Sequence, residues 1–416
     1  MSSGGLKQPG ELAGRHLVPE LPGPARILLL CRGLRGLADG VVSVLLASYL
    51  VHLGFEPVQV GALVTATLLG SALLTIGVGV GGGRLPAREV LLAAAGLMFA
   101  TGVAFAGLRS FWPLMVVAFV GTLNPSAGDV SVFLPTEQAV LAQAGRSAEA
   151  TSRFAWYNVL GTLSGAAGAL LSAGLVAAAE GLGLDTVVGE RWGFVLYAVV
   201  ALVVWGLYRS LRIQSTSAES VPRVLHRSRR LVLQLSALFS LDSFGGGFVV
   251  QSLLVLWLSR RFDFSAQASG LLFFVTGICA AFSQLVSPLL AQRIGHIRTM
   301  SYTHLPANLF LILAGVMPTP QLAVAFLLAR MALSQMDVPA RQAYVMAMVP
   351  VGERPAAAAV TNVPRSLAAA VPPLLAGFML EHSSFGWPLV VAGVLKATYD
   401  ILILMGFRHL RPAESA

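Results

Sequence analysis

The sequence predicts an all-α polytopic membrane protein of twelve transmembrane helices, built as two pseudo-symmetric six-helix halves. Three observations carry this. The chain is 56% hydrophobic and 11% charged, with a mean hydropathy of +0.76, whereas soluble domains carry about 25% charged residues. Apolar runs recur along its whole length, each long enough for a hydrocarbon core of ~30 Å, which takes about 20 residues. The second half repeats features of the first at a nearly constant offset.

The expected helices lie near 27–52, 57–80, 88–107, 112–142, 153–178, 193–211, 231–258, 266–290, 299–317, 321–348, 356–380 and 386–407. Loops between them are short except at 212–230, "RIQSTSAESVPRVLHRSRR", which is polar and basic. The domain reading is therefore a tail at 1–26, a first half at 27–211, the basic linker at 212–230, a second half at 231–407 and a tail at 408–416.

Arginine placement orients the chain. Thirteen arginines fall in loops on the side of the chain ends: 84, 88, 146, 153, 209, 212, 223, 227, 229, 230, 293, 298 and 354. Loops on the other side hold Arg109, Arg191, Arg260 and Arg261. The positive-inside rule then puts both termini in the cytoplasm of a cell-membrane protein. The net charge of +9 is explained by anionic lipid, without nucleic acid. The first 26 residues lack the apolar stretch of a cleavable signal. Cys31 and Cys279 both fall in spans and make no disulfide framework.

An offset of 204 residues aligns "PTEQA" (135–139) with "PARQA" (339–343), and without a gap Asn158-Val159 with Asn362-Val363. An offset of 209 aligns Ser43, Leu45, Phe55 and Gly61 with Ser252, Leu254, Phe264 and Gly270. Spans 4 and 5 thus read as copies of 10 and 11, and spans 1 and 2 as copies of 7 and 8.

With these features the chain resembles the major facilitator superfamily over essentially its whole length. That family carries a GxxxDRxGRR signature after span 2 and again after span 8. Here the first copy, "GVGGGRLPAR", keeps Gly79, Arg84 and Arg88 but has Gly83 in place of the acid. The second, "SPLLAQRIGHIR", keeps Arg293 and Gly295, with Gln292 in that place. The resemblance implies two bundles around a central cavity, lined by spans 1, 4, 7 and 10. Each of those spans carries an acid. Span 1 has Arg32, Arg35 and Asp39, and span 4 has Asp129 and Glu137; span 7 has Asp242, and span 10 has Arg330, Asp337 and Arg341. An ionisable residue at membrane depth costs about 2.5–3.5 kcal/mol on insertion scales, so it ordinarily faces a protein interior or water.

Arg35 with Asp39, and Asp337 with Arg341, stand at i and i+4 and can pair, and Arg330 lies two turns from Asp337 on the same side. Glu137 and Arg341 hold equivalent places with opposite charge and are read as gate candidates, against a reading in which each ties its helix locally. Asp39, Asp129, Asp242, Arg35, Arg330 and Asp337 are the candidates for substrate binding and proton coupling. Arg32 is expected to snorkel to the headgroups. His304 reads as a structural hydrogen-bonding group, and Lys396 with Asp400 as a mutually neutralising pair on an outer helix. Gly36, Gly40 and Gly245 to Gly247 suit close helix contact.

No nucleotide loop, hydrolase triad or HExxH string is present, so an enzyme is not expected, nor a cofactor or metal site. The expectation is a monomeric secondary transporter of a small solute, proton-coupled, with export as the working direction. The alternatives are a facilitative uniporter and a transporter-like receptor or scaffold. Buried acids suit a cation or a proton, while the arginines admit an anionic or zwitterionic solute.

Overall fold

In the computed structural model, residues 23–80, 86–126, 131–143, 150–211, 228–350 and 353–407 are described. Asp129 and Arg84 lie outside them, as do residues 1–22, the tail at 408–416 and most of the basic linker; the first helix takes up residues 23–26 of the expected tail. The described residues form sixteen helices. In the first half these are α1 (Gly23–His52), α2 (Pro57–Val80), α3 (Ala87–Gly107), α4 (Phe111–Val120), α5 (Phe133–Gln143), α6 (Ala150–Gly181) and α7 (Thr186–Ser210). The second half holds α8 (Arg229–Gly247), α9 (Gln251–Phe262), α10 (Ala266–Ile294), α11 (His296–Val316), α12 (Pro320–Ser334), α13 (Asp337–Met348), α14 (Arg354–Ala370), α15 (Pro372–His382) and α16 (Trp387–Phe407). They make twelve transmembrane segments in two six-segment bundles. Four segments are each built from two helices: span 4 from α4 and α5, span 7 from α8 and α9, span 10 from α12 and α13, and span 11 from α14 and α15.

Each break has a local cause. Between α12 and α13 the interruption falls at Gln335 and Met336. Pro339 has no N–H to give and its ring collides with the carbonyl four residues back, which is Gln335. Span 11 breaks at Val371, which keeps helical angles, immediately before Pro372 and Pro373; two successive residues without an N–H leave the carbonyls four residues back without their helical donors. Span 7 breaks after Gly245-Gly246-Gly247. Span 4 leaves helix at Gly121, four residues before Pro125. Pro288 and Pro306, by contrast, sit inside unbroken α10 and α11.

Small residues set the spacing between spans. Added side-chain carbon at Gly40 would lie 2.0 Å from the Gly165 carbonyl oxygen, and at Gly168 2.0 Å from that of Leu37. The backbones of α1 and α6 therefore touch, the close approach expected where lipid supplies no hydrophobic drive and packing does the work.

With both chain ends on one face, the termini define a terminal side and the opposite face a distal side. The two halves meet chiefly toward the distal side. Gly61 of α2 and Gly377 of α15 abut reciprocally: a Cβ at Gly61 would lie 2.4 Å from the Pro373 oxygen, and one at Gly377 2.5 Å from the Pro57 oxygen. Nearby, the Val58 N–H donates to Glu381 at 3.0 Å, and Gln267 of α10 donates to Glu180 of α6 at 2.9 Å. At mid-depth the Ser252 N–H reaches across the halves to the Pro125 carbonyl, at 3.2 Å.

Candidate functional site

Between the halves lies a cavity of about 570 Å³. Its wall comes from both: Arg32, Asp39, Asn124, Gln138 and Asn158 on one side, Gln251, Arg330, Gln335 and Gln342 on the other. The lining runs from the distal contacts toward the terminal side, where Gln138, Ala155, Gln284 and Gln342 stand.

The repeated motif has two faces. Gln138 and Gln342, its matched glutamines, both line the cavity. Glu137 and Arg341, the residues just before them, turn the other way, and each is buried in its own bundle. A helix step of about 100° separates neighbouring side chains, so one register serves both purposes.

In the first half Glu137 of α5 forms an ion pair with Arg35 of α1. It also accepts hydrogen bonds from the hydroxyls of Tyr157 on α6 and Tyr208 on α7, each at 2.5 Å. Arg35 lies over the Phe133 ring, 4.1 Å from its centroid, where the face of the ring attracts the cation. The carboxylate is fully buried, and these donors from three other spans replace the water it has lost.

In the second half the polarity is reversed. Asp242 of α8 receives Arg341 of α13 at 3.1 Å and Lys396 of α16 at 2.5 Å. Asp337 lies 3.0 Å from Arg341, one turn away on the same helix. Span 1 thus offers a cation to an anion on span 4, while span 7 offers an anion to a cation on span 10. Glu137 and Arg341 do not meet in this conformation.

Several expectations change. Lys396 and Asp400 do not neutralise each other: Lys396 goes to Asp242, and Asp400 takes His304 of α11 at 2.9 Å and Asn308 at 2.8 Å. Span 12 is wedged between spans 7 and 9, and the partners on either flank win over the i, i+4 neighbour. His304 is, as read from sequence, a buried hydrogen-bonding group. Arg32 does not snorkel outward but lines the cavity, its guanidinium 5.3 Å from the Tyr157 ring centroid. Arg330 does not share a face with Asp337, because the break at Gln335 and Met336 ends the helical phase between them; it lines the cavity instead. Asp242 is enclosed in its bundle rather than in the cavity wall. Asp39 does line the cavity, and accepts a hydrogen bond from Asn124 at 3.4 Å.

The signature loops are incomplete here too. Gly79 stands in the last turn of α2, and Arg88 donates to the Arg209 carbonyl at 2.9 Å. Gly295 adopts φ +85° and caps α10, so its glycine is required by backbone geometry. Arg293, in the last turn of α10, is exposed.

Two charged residues escaped the sequence reading. Glu190 is fully buried on α7 and bonded to Ser48 and to His52, the latter at 2.9 Å. The expected span begins at 193 and leaves it outside, whereas the helix starts at Thr186, seven residues earlier; the Asp185 side chain, which accepts from the Val187 N–H, is the signal for that start. Arg365, midway along α14, donates to Ser243 at 3.0 Å and reaches Asn362 at 3.4 Å. An arginine within the apolar run 356–380 is the sequence signal that marks it.

Comparison with known proteins agrees with the architecture. A curated relative, an uncharacterised membrane protein of Saccharomyces cerevisiae, is 24% identical over 410 residues, covering 90% of this chain and 92% of its own. Among solved structures, a mutant of the nucleoside transporter NupG superposes with a TM-score of 0.72 at 13% identity, covering 93% of this chain and 99% of that one. A bacterial homologue of the human lysosomal transporter Spinster, in an inward-facing and unoccupied conformation, gives 0.71 at 15%, covering 94% and 98%. The human organic anion transporter MFSD10 gives 0.62 at 16%, covering 92% and 100%. These likenesses show the fold. The sequence model described as Major Facilitator Superfamily matches residues 28–333 and 235–416, and with a match over nearly the whole chain the protein belongs to the major facilitator superfamily.

Proposed function

We propose that the protein is a secondary active transporter that carries a small solute through the central cavity by alternating access, coupled to protons. The observation that carries this is the shared wall of the cavity: Asp39 and Asn124 from one half, Arg330 and Gln342 from the other. A solute touching both sides holds the halves together in a way that neither half alone provides, and rocking would then expose it to alternate faces.

Proton coupling is supported by Asp39. It is a carboxyl in the cavity wall, near the middle of a thirty-residue helix. Such a group can take up and release a proton as its surroundings change. The arginine asymmetry supports a cell-membrane protein with both termini cytoplasmic; the arrangement of distal contacts then corresponds to a cavity facing inward.

The test is transport by the purified protein in proteoliposomes, with and without an imposed pH gradient. Asp39→Asn should keep expression and folding near normal yet abolish accumulation against a solute gradient, since the amide keeps the shape but cannot release a proton. Uphill transport by that variant would exclude Asp39 as the coupling group. If no solute moves through the parent protein under any gradient, the receptor or scaffold reading replaces this one.

A further inference from the structure

The interior cations of this protein are not treated alike. Arg35 has Glu137, Arg341 has Asp242 and Asp337, and Lys396 has Asp242. Arg330 has no carboxylate within ion-pair distance among the described residues. The sulfur of Met331, a weak acceptor, lies 3.4 Å from its Nη1, and its buried Nε has no hydrogen-bond partner. Yet it stands in the cavity wall. A guanidinium stays protonated at any physiological pH, so its charge cannot be shed to relieve the cost of an apolar setting. It needs an anion that the described residues do not provide.

The rest of the wall sets what kind of anion. Among the described lining residues Arg32 and Arg330 outnumber Asp39. Around them stand amides, among them Gln138, Gln251, Gln335 and Gln342, which donate and accept hydrogen bonds but bring no charge. A simple apolar anion would leave these amides unsatisfied, and an organic cation would leave Arg330 unmet. The cavity volume suits a solute of metabolite size.

We propose that the cavity selects a polar organic anion, and that Arg330 holds its carboxylate or phosphate through the paired N–H groups of the guanidinium. Such a fork matches both oxyanions. The hydroxyl or amine groups of the solute then reach Asp39 and Asn124 on the other half, so that one molecule spans the interface between bundles. This deepens the transporter reading and rests on it.

The experiment is a thermal-shift screen of the full chain, purified in detergent. The ligand set is sorted by charge on a shared scale of size: hydroxylated carboxylates such as gluconate, sugar phosphates such as glucose 6-phosphate, zwitterionic amino acids, neutral sugars such as glucose, and amines such as glucosamine. Stabilising compounds should fall in the oxyanion-bearing arms, and the carboxylate and phosphate arms tell the two headgroups apart. Their apparent affinity should fall at least tenfold in Arg330→Gln, less in Arg330→Lys, and not at all in Arg109→Gln, an exposed distal-loop control. Each variant is first checked for a monodisperse elution profile, and Arg330→Lys keeps the test decisive if Arg330→Gln does not fold. Stabilisation confined to neutral or amine compounds overturns the proposal. So does anion binding that both Arg330 variants leave unchanged, or no shift from any arm. Compounds that bind are then tested for exchange in proteoliposomes. Exchange of a neutral solute would sink the anion site and leave the transporter reading standing. Arg330-dependent anion binding without exchange would do the reverse.

Discussion

Glu137 and Arg341 stand 204 residues apart at matched positions of the two halves, and each is held inside its own bundle by a partner of opposite sign: Glu137 by Arg35, Arg341 by Asp242 and Asp337. Read from sequence as a gate, they would close on each other across the pseudo-twofold axis that relates the two halves. In this conformation they act instead as internal ties, each joining the terminal-side half of a broken span to the first span of its bundle.

Double-mutant cycles separate the two arrangements. Arg35→Gln and Glu137→Gln should each lower stability by about 3–5 kcal/mol, because each strands a buried charge. The double variant should lie well above the sum of the two. Glu137→Gln with Arg341→Gln should instead be additive to within about 0.5 kcal/mol. Thermal unfolding of the purified protein in detergent reads both cycles. Strong coupling between Glu137 and Arg341 would mean that the populated state differs from this structure, and would restore the cross-half gate.

Asp242 accepts from two cations and should be the most sensitive member of its cluster. Asp242→Asn leaves both Arg341 and Lys396 without the negative charge they share, although Asp337 still serves Arg341. Lys396→Met, by contrast, leaves Asp242 paired with Arg341. The expected order of destabilisation, by thermal unfolding, is Asp242→Asn above Lys396→Met, with the double variant recovering part of the loss. Equal effects of the two single changes would show that Lys396 and Arg341 are not interchangeable neutralisers.

How far these partners could be foreseen depends on what sets them. The membrane class, the twelve spans and the matched halves followed from composition and from the PxxQA repeat, because hydrocarbon thickness and backbone satisfaction leave a helical chain few alternatives. Asp337 with Arg341 was legible for a similar reason, since an i, i+4 pair depends on one helix alone. Lys396 and Asp400 share that spacing and still take different partners, since choice among neighbours is a property of packing between spans 7, 9 and 12. Arg330 was assigned to the face of Asp337 by counting helical turns, and the count failed where Pro339 interrupts the helix. Glu190 falls outside the apolar run that marks span 6, because the polar first turns of α7 extend the helix seven residues before it.

Topology can be tested directly in a variant lacking Cys31 and Cys279. A cysteine replacing Ser215, in the linker, should react with a membrane-impermeant maleimide only from the cytoplasmic side. One replacing Thr186, at the start of α7, should react from the outside. Reversed reactivity would invert the orientation drawn from the arginine count, and would turn the inward-facing cavity into an outward-facing one.

The last expectation concerns the seam that closes the distal side. Gly61 and Gly377 bring α2 and α15 into backbone contact, and the atoms a side chain would meet are the main-chain oxygens of Pro373 and Pro57. These cannot rotate away as a flexible side chain could, so a larger residue must part the helices. Overpacking of this kind costs about 1–3 kcal/mol, and here it falls on one conformation only, since the halves separate at this seam when the distal side opens. Gly61→Leu should therefore shift the population toward a distal-open state. With a cysteine replacing the cavity-lining Ser126 in the cysteine-free background, distal labelling should rise several-fold in Gly61→Leu. Gly96→Leu, where an added Cβ meets nothing within 4 Å, should label like the parent. Unchanged labelling in Gly61→Leu, with solute exchange intact, would show that this glycine contact is not what holds the distal side shut.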